Sequence, residues 1–166
     1  MEADTSSMRK SSTIFLQVVI VLIGIGVLTF LLWEPHLEGV NAHAKFFEVY
    51  LDLFVAYVYL ASIPFFMGLY QAVKLLGYAR QNKVFSQAAV KTLRTIKYCA
   101  FITAGAIVAA ITYIRIKAHP DDDPAGFVML GMIATFGSIV IGTAAAVFER
   151  VLQNAVDIKS ENDLTV

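Results

Sequence analysis

Four apolar runs dominate this chain, at 13–33, 53–76, 95–114 and 125–148. A helix rises 1.5 Å per residue, so about 20 residues cross the roughly 30 Å of hydrocarbon in a bilayer. Within lipid every backbone N–H and C=O must be satisfied inside the protein, and a run of this length does so as a helix. The third run is short if cut at Tyr98, but its helix begins earlier and holds its basic residues at the interface, where long cationic side chains snorkel. Composition agrees: 58% of the 166 residues are hydrophobic and 16% charged, against about 45–50% apolar and about 25% charged in soluble domains. The expected fold is all-α, a four-helix membrane bundle forming one domain, with a link at 77–94 and a tail at 149–166.

The first run does not fit a cleaved secretory signal. Arg9 and Lys10 precede it and Ala42-His43-Ala44 imitates a cleavage triplet. Its apolar core is nevertheless longer than the 7–15 residues of a signal, and the triplet lies well beyond it. Cys99 is the single cysteine, so no intrachain disulfide framework exists.

The cations orient the spans. With four crossings, one side holds Arg9, Lys10, Lys74, Arg80, Lys83, Lys91, Arg94, Lys97, Arg150 and Lys159, and the other only Lys45, Arg115 and Lys117. The positive-inside rule then predicts both termini in the cytoplasm and a multi-pass protein of the bacterial cytoplasmic (inner) membrane. Counting acids as well, the inner side carries +4 and the outer −4, so a formally neutral chain is strongly polarised.

The link between spans two and three holds "NKVFSQAAVKTLRTIK", basic yet flanked by apolar runs. Ser86 is placed to cap a helix, with Phe85 before it and Val90 after it in the hydrophobic staple pattern. Beyond the cap Ala89, Leu93, Ile96 and Ala100 recur every three or four residues, while Lys91, Arg94 and Lys97 fall on other faces. One face packs, and the other meets water or lipid headgroups, where each cation near an anionic leaflet contributes about 1 kcal/mol.

The tail has a pattern of its own. Helix-forming residues run from Ala144 to Ile158, with Val147, Val151, Asn154 or Ala155, and Ile158 on one stripe and Glu149, Gln153 and Asp157 on another. The fourth helix should therefore project into the cytoplasm, with a polar break at Ser160. Two acids, Glu161 and Asp163, follow beside Asn162. They either fold back onto Lys83, Lys91 and Arg94, or form with the link a docking surface for a cytoplasmic protein.

Both segments carry a resemblance. "NKVFSQAAVKTLRTI", with Phe85-Ser86 and Leu93-Arg94-x-Ile96, and the ending "ENDLTV" resemble a bacterial family of small four-helix membrane proteins classed as a domain of unknown function. Its members are often encoded beside a small helix-turn-helix DNA-binding protein, which implies a regulatory partnership. No enzymatic activity is established for that family.

Within the spans, Gly131, Ala134, Ser138, Gly142 and Ala145 form a small-residue stripe facing Thr103, Ala106 and Ala110 of span three. In lipid such stripes let helix backbones approach closely. Pro64 removes a donor from span two and frees a carbonyl near Leu60. Together with Asp52, which shares a helical face with Glu48, that kink is the basis of an alternative reading as a small oligomeric transporter or channel. A second alternative is metal or pH sensing through His36, His43 and His119, all in the outer loops near Glu34, Glu38 and Asp121 to Asp123.

Enzyme patterns are missing. There is no Gly-rich phosphate loop, no G-x-S-x-G and no H-E-x-x-H, and no span holds a histidine for haem. No cofactor, metal or directly bound nucleic acid is expected. The preferred function is a non-enzymatic membrane regulatory or interaction protein. Its partner-binding residues would be Phe85, Ser86, Lys91, Leu93, Arg94, Glu161, Asn162 and Asp163, its partners the lipid bilayer and a small helix-turn-helix regulator, with a homo-oligomer left open.

Overall fold

The computed structural model describes residues 2–33, 53–81, 83–117 and 125–163, with side chains from 11 to 162 within those segments. These form four helices: α1 (Glu2–Trp33), α2 (Leu53–Arg80), α3 (Gln87–Lys117) and α4 (Ala125–Asp163). All four are long and apolar enough to cross a membrane, and the described residues contain no strand. Their outward faces carry side chains such as Phe15, Leu60 and Phe136, largely uncovered by protein. A surface of that extent is tolerated in lipid and not in water.

Consecutive helices pack antiparallel, most extensively α3 with α4, then α2 with α3, then α1 with α2. The α3–α4 pair explains itself by spacing. On α4, positions 131, 135, 138, 142, 145, 149, 152 and 156 are buried or half-buried, and on α3 positions 89, 93, 96, 100, 103, 107, 110 and 114 are as well. That alternation of three and four is the heptad of paired helices. A Cβ on Gly142 would lie 3.1 Å from the Phe101 ring, and one on Gly131 would lie 2.7 Å from Ile111. At both glycines a side chain of α3 packs directly onto the α4 backbone. The expected small-residue stripe is right at Gly131, Ser138, Gly142 and Ala145, but Ala134 faces outward and Thr135 takes its place in the seam. The sequence reading stepped from 131 by three, where the heptad steps by four.

The other pairs use half-buried polar contacts. The Tyr57 hydroxyl donates to the Ala106 carbonyl on α3 at 2.7 Å, and the Tyr59 hydroxyl to the Leu31 carbonyl on α1 at 2.8 Å. Gln17 Nε2 donates to the Val73 carbonyl at 3.1 Å. Phe54 stacks on Tyr113 with centroids 5.5 Å apart, and Gly68 faces the buried Cys99. In an apolar medium a phenol or amide needs such a partner, and a helix carbonyl has a lone pair to spare. α2 continues through Pro64 as one helix, tied to α3 and α1 by these tyrosines one to two turns before it.

Within the link at 77–94, α2 runs to Arg80 and α3 starts at Gln87, next to the expected cap at Ser86. One helix end departs from the sequence expectation. Ser160, expected as a break, lies inside α4, which stays helical to Asp163. Neither proline nor glycine interrupts α4 after Gly142, and its packed face continues through Leu152 and Val156. A lone serine costs too little helix propensity to end it.

Candidate functional site

The apolar runs of α3 and α4 end at the same level, where Lys97 faces Glu149. Beyond it, α3 extends about 15 Å back to Gln87 and α4 about 20 Å on to Asp163, taking 1.5 Å per residue. This paired extension is the basic end of the molecule, and it holds its own small core. Ala89, Val90, Leu93, Leu152 and Val156 are buried together, with Leu75, Tyr78 and Val84 packed against them.

The connection from α2 to α3 is closed locally. Lys83 N–H reaches back to the Tyr78 carbonyl at 2.9 Å, and Ser86 N–H donates to the Val84 carbonyl at 2.9 Å. Ser86 Oγ accepts from Ala89 N–H at 3.3 Å, which makes it the N-cap of α3, as the sequence predicts. The staple differs. Val84, not Phe85, packs on the cluster around Val90, and Phe85 stays 60% exposed. The tight Val84–Ser86 turn directs Val84 inward and Phe85 outward. Ser86→Ala is expected to destabilise the basic end by about 1 kcal/mol while Ser86→Asp preserves it, read by hydrogen exchange of the Ala89 and Val90 amides.

An ion cluster closes the base of the extension. Glu149 is 7% exposed; its carboxylate accepts from Lys97 Nζ at 2.6 Å through one oxygen and from Arg94 Nε at 2.6 Å through the other. Glu149 follows the last residue of the apolar run 125–148. The hydrogen bonds from Lys97 and then Arg94 hold its carboxyl below the ordinary range, outweighing the opposing effect of burial. Lys97 Nζ also lies 4.8 Å from the centroid of the Tyr98 ring. Two cations and one anion leave the cluster with one net positive charge at the end of the apolar runs.

The sequence-predicted site residues now have places. Phe85 and Lys91 are exposed; Ser86 caps α3; Leu93, 7% exposed, lies inside the core and supports the surface rather than forming it. Arg94 pairs with Glu149, about three turns of α4 before the Glu161 of the expected fold-back. Glu161 and Asn162 are exposed in the last turn of α4, and Asp163 ends that helix. The structure brings link and tail side by side through the contact of Val84 with the cluster containing Val156.

Sequence reasoning missed Glu149, which it assigned to a polar stripe. Continuing the seam from Gly142 and Ala145 by four, three and four reaches 149, 152 and 156, so the signal was present. Of the apolar stripe Val147, Val151, Asn154 or Ala155, and Ile158, all but the half-buried Ala155 are exposed. His36, His43, His119, Glu34, Glu38, Glu48, Asp52 and Asp121 to Asp123 lie outside the described residues. Among the described residues no group of three or more His, Cys, Asp or Glu side chains is placed to hold a metal.

Comparison with known proteins places this architecture. Residues 35–166 match the family described as "Protein of unknown function (DUF2975)". The chain is 41% identical over 161 residues to the uncharacterized membrane protein YoaS of Bacillus subtilis (strain 168), covering 96% of this chain and 100% of that protein. No solved structure matches significantly. With four membrane-length helices and a family match over most of its length, the chain is a multi-pass membrane protein that belongs to the DUF2975 family.

Proposed function

We propose that this protein is a non-enzymatic membrane anchor that docks a small cytoplasmic regulator on its basic end. The observation that carries this reading is the ion-locked extension of α3 and α4, whose core and Glu149 cluster hold a rigid surface outside the apolar runs. A solvated tail with no task needs neither a buried core nor a doubly bridged carboxylate. Phe85 and Lys91 present an apolar and a basic contact on the link, and Glu161 with Asn162 an acidic one in the last turn of α4, which Asp163 follows in the sequence. The ten-to-three distribution of cations supports placing this surface in the cytoplasm. The partner class, a small helix-turn-helix protein, comes from the family resemblance, and an aromatic flanked by charges suits a protein contact of modest size.

The test co-expresses the full chain with a small helix-turn-helix protein encoded beside its gene and purifies the complex in mild detergent; a gene neighbourhood that encodes no such protein also defeats the reading. Phe85→Ala with Lys91→Glu, or removal of residues 161–166, is expected to reduce recovery of the regulator at least about tenfold, the loss of one or two contacts of about 1–2 kcal/mol each. Unchanged recovery with both variants defeats the reading. Reporter fusions at Phe85 and Val166 should report the same compartment.

A further inference from the structure

α4 carries two heptad faces, and the chain fills one. The face toward α3 passes through Gly142, Glu149 and Val156, whereas Val140, Ala144, Val147, Val151, Asn154 and Ile158 lie almost opposite it, at the same four-and-three spacing. This second face is open: Val147 is 56%, Val151 62% and Ile158 61% exposed. We infer that it is the homo-oligomer interface of this protein, along which α4 pairs in parallel with α4 of a second copy.

The occupant follows from where the face runs. Its first half lies in the apolar run and its second half beyond Glu149, so a partner must continue from lipid into water at the same level. A soluble protein cannot follow the membrane half, and lipid does not reach Ile158, about 15 Å beyond the end of the apolar run. A second copy of α4 does both. Copies inserted with the same charge bias share one orientation, so their α4 helices are parallel and an identical seam matches itself about a two-fold axis. With Ile133 and Gly137 the seam spans nearly four heptads, the length at which such a repeat specifies pairing. Small residues at 137 and 144 permit close approach inside lipid.

Polar groups agree with this pairing. Asn154 is the one polar residue between Val140 and Ile158 on this face, and an amide there pairs with its own copy and fixes register. The flanking charges do not clash: in a parallel pair Arg150 comes opposite Ala155, and Asp157 opposite Asn162, of the other copy. This pairing goes beyond the docking reading and does not rest on it; a chain that pairs along α4 yet retains no regulator defeats that reading alone.

The test uses full-length chain in native membranes with Cys99→Ala, so that each added cysteine is the single thiol. Disulfides form where Cβ atoms come within about 4.5 Å. Val151→Cys and Ile158→Cys should give a product of twice 18.2 kDa on mild oxidation with copper phenanthroline, with at least about tenfold higher yield than Gln153→Cys or Ser160→Cys on the far side of the helix. Equal yield at all four positions, no product at 151 and 158, or a product with a different protein overturns the inference. A second readout needs no substitution: native mass measurement of the wild-type chain released from bicelles should show a multiple of the protomer, and a lone protomer overturns it.

Discussion

Gly142→Leu is expected to separate α3 from α4. Even the first atom of a side chain at 142 meets the Phe101 ring at 3.1–3.2 Å, and leucine adds three carbons to that contact. The Phe101 ring must leave its position or the helices must part, at a cost of about 1–3 kcal/mol. Gly142→Ala is a graded control: its methyl needs the ring to shift by a few tenths of an ångström, and the gain of about 1 kcal/mol in helix propensity offsets this. Unfolding followed by circular dichroism in mixed micelles should rank wild type and alanine together and leucine well below. Gly131→Leu should be at least as costly: a Cβ there lies 2.7 Å from Ile111 Cδ1 and 2.9 Å from Cγ1, and a β-branched side chain on a helix is held in one preferred χ1 rotamer. A leucine at 142 as stable as wild type would show that these helices are not held at close range there.

The second large effect is expected at Glu149. Glu149→Gln keeps the volume and removes the charge, leaving Lys97 and Arg94 beside a neutral amide at the base of the extension. Buried hydrogen bonds to charged groups contribute about 1.5–3 kcal/mol, and the solvent reaching Arg94 reduces this, so a loss of about 1–2 kcal/mol is expected. The two cations are not equivalent. The Lys97 side chain is 21% exposed and that of Arg94 54%, so screening weakens the Arg94 pair more. Double-mutant cycles should therefore show stronger coupling of Glu149 to Lys97 than to Arg94, and salt should weaken the Arg94 coupling first. Because the cluster supports the proposed docking surface, Glu149→Gln should also lower regulator recovery without touching a contact residue. Equal stability of wild type and Glu149→Gln would remove the ion lock from this account.

Local features were legible in advance. The apolar lengths marked four helices, and Ser86 followed by an apolar repeat marked the start of α3, because a cap is satisfied by residues within one turn of it. Gly131 and Gly142 marked the close face of α4, since only small side chains permit such an approach. The harder question was which of two apolar stripes on the α4 extension is buried. Leu152 and Val156 on one side, and Val151 and Ile158 on the other, are equally apolar, and a helix read alone has no preferred side. Only the position of α3 decides between them. The same holds for Val84 and Phe85, neighbours of similar character that one tight turn sends in opposite directions. Glu149 was obscured for a related reason: an acid near a helix end reads as solvated until the cations facing it are known.

The primary structure alone determined that lipid surrounds most of this protein, that it crosses four times as helices, and that its cations gather at one end, because length, hydropathy and charge act without reference to any partner. Tertiary structure decided the rest. It set α3 against α4 in heptad register, which buried Glu149 between Lys97 and Arg94 and left Val151 and Ile158 uncovered. Side-chain burial is a relation between two surfaces, and a sequence supplies only one of them at a time.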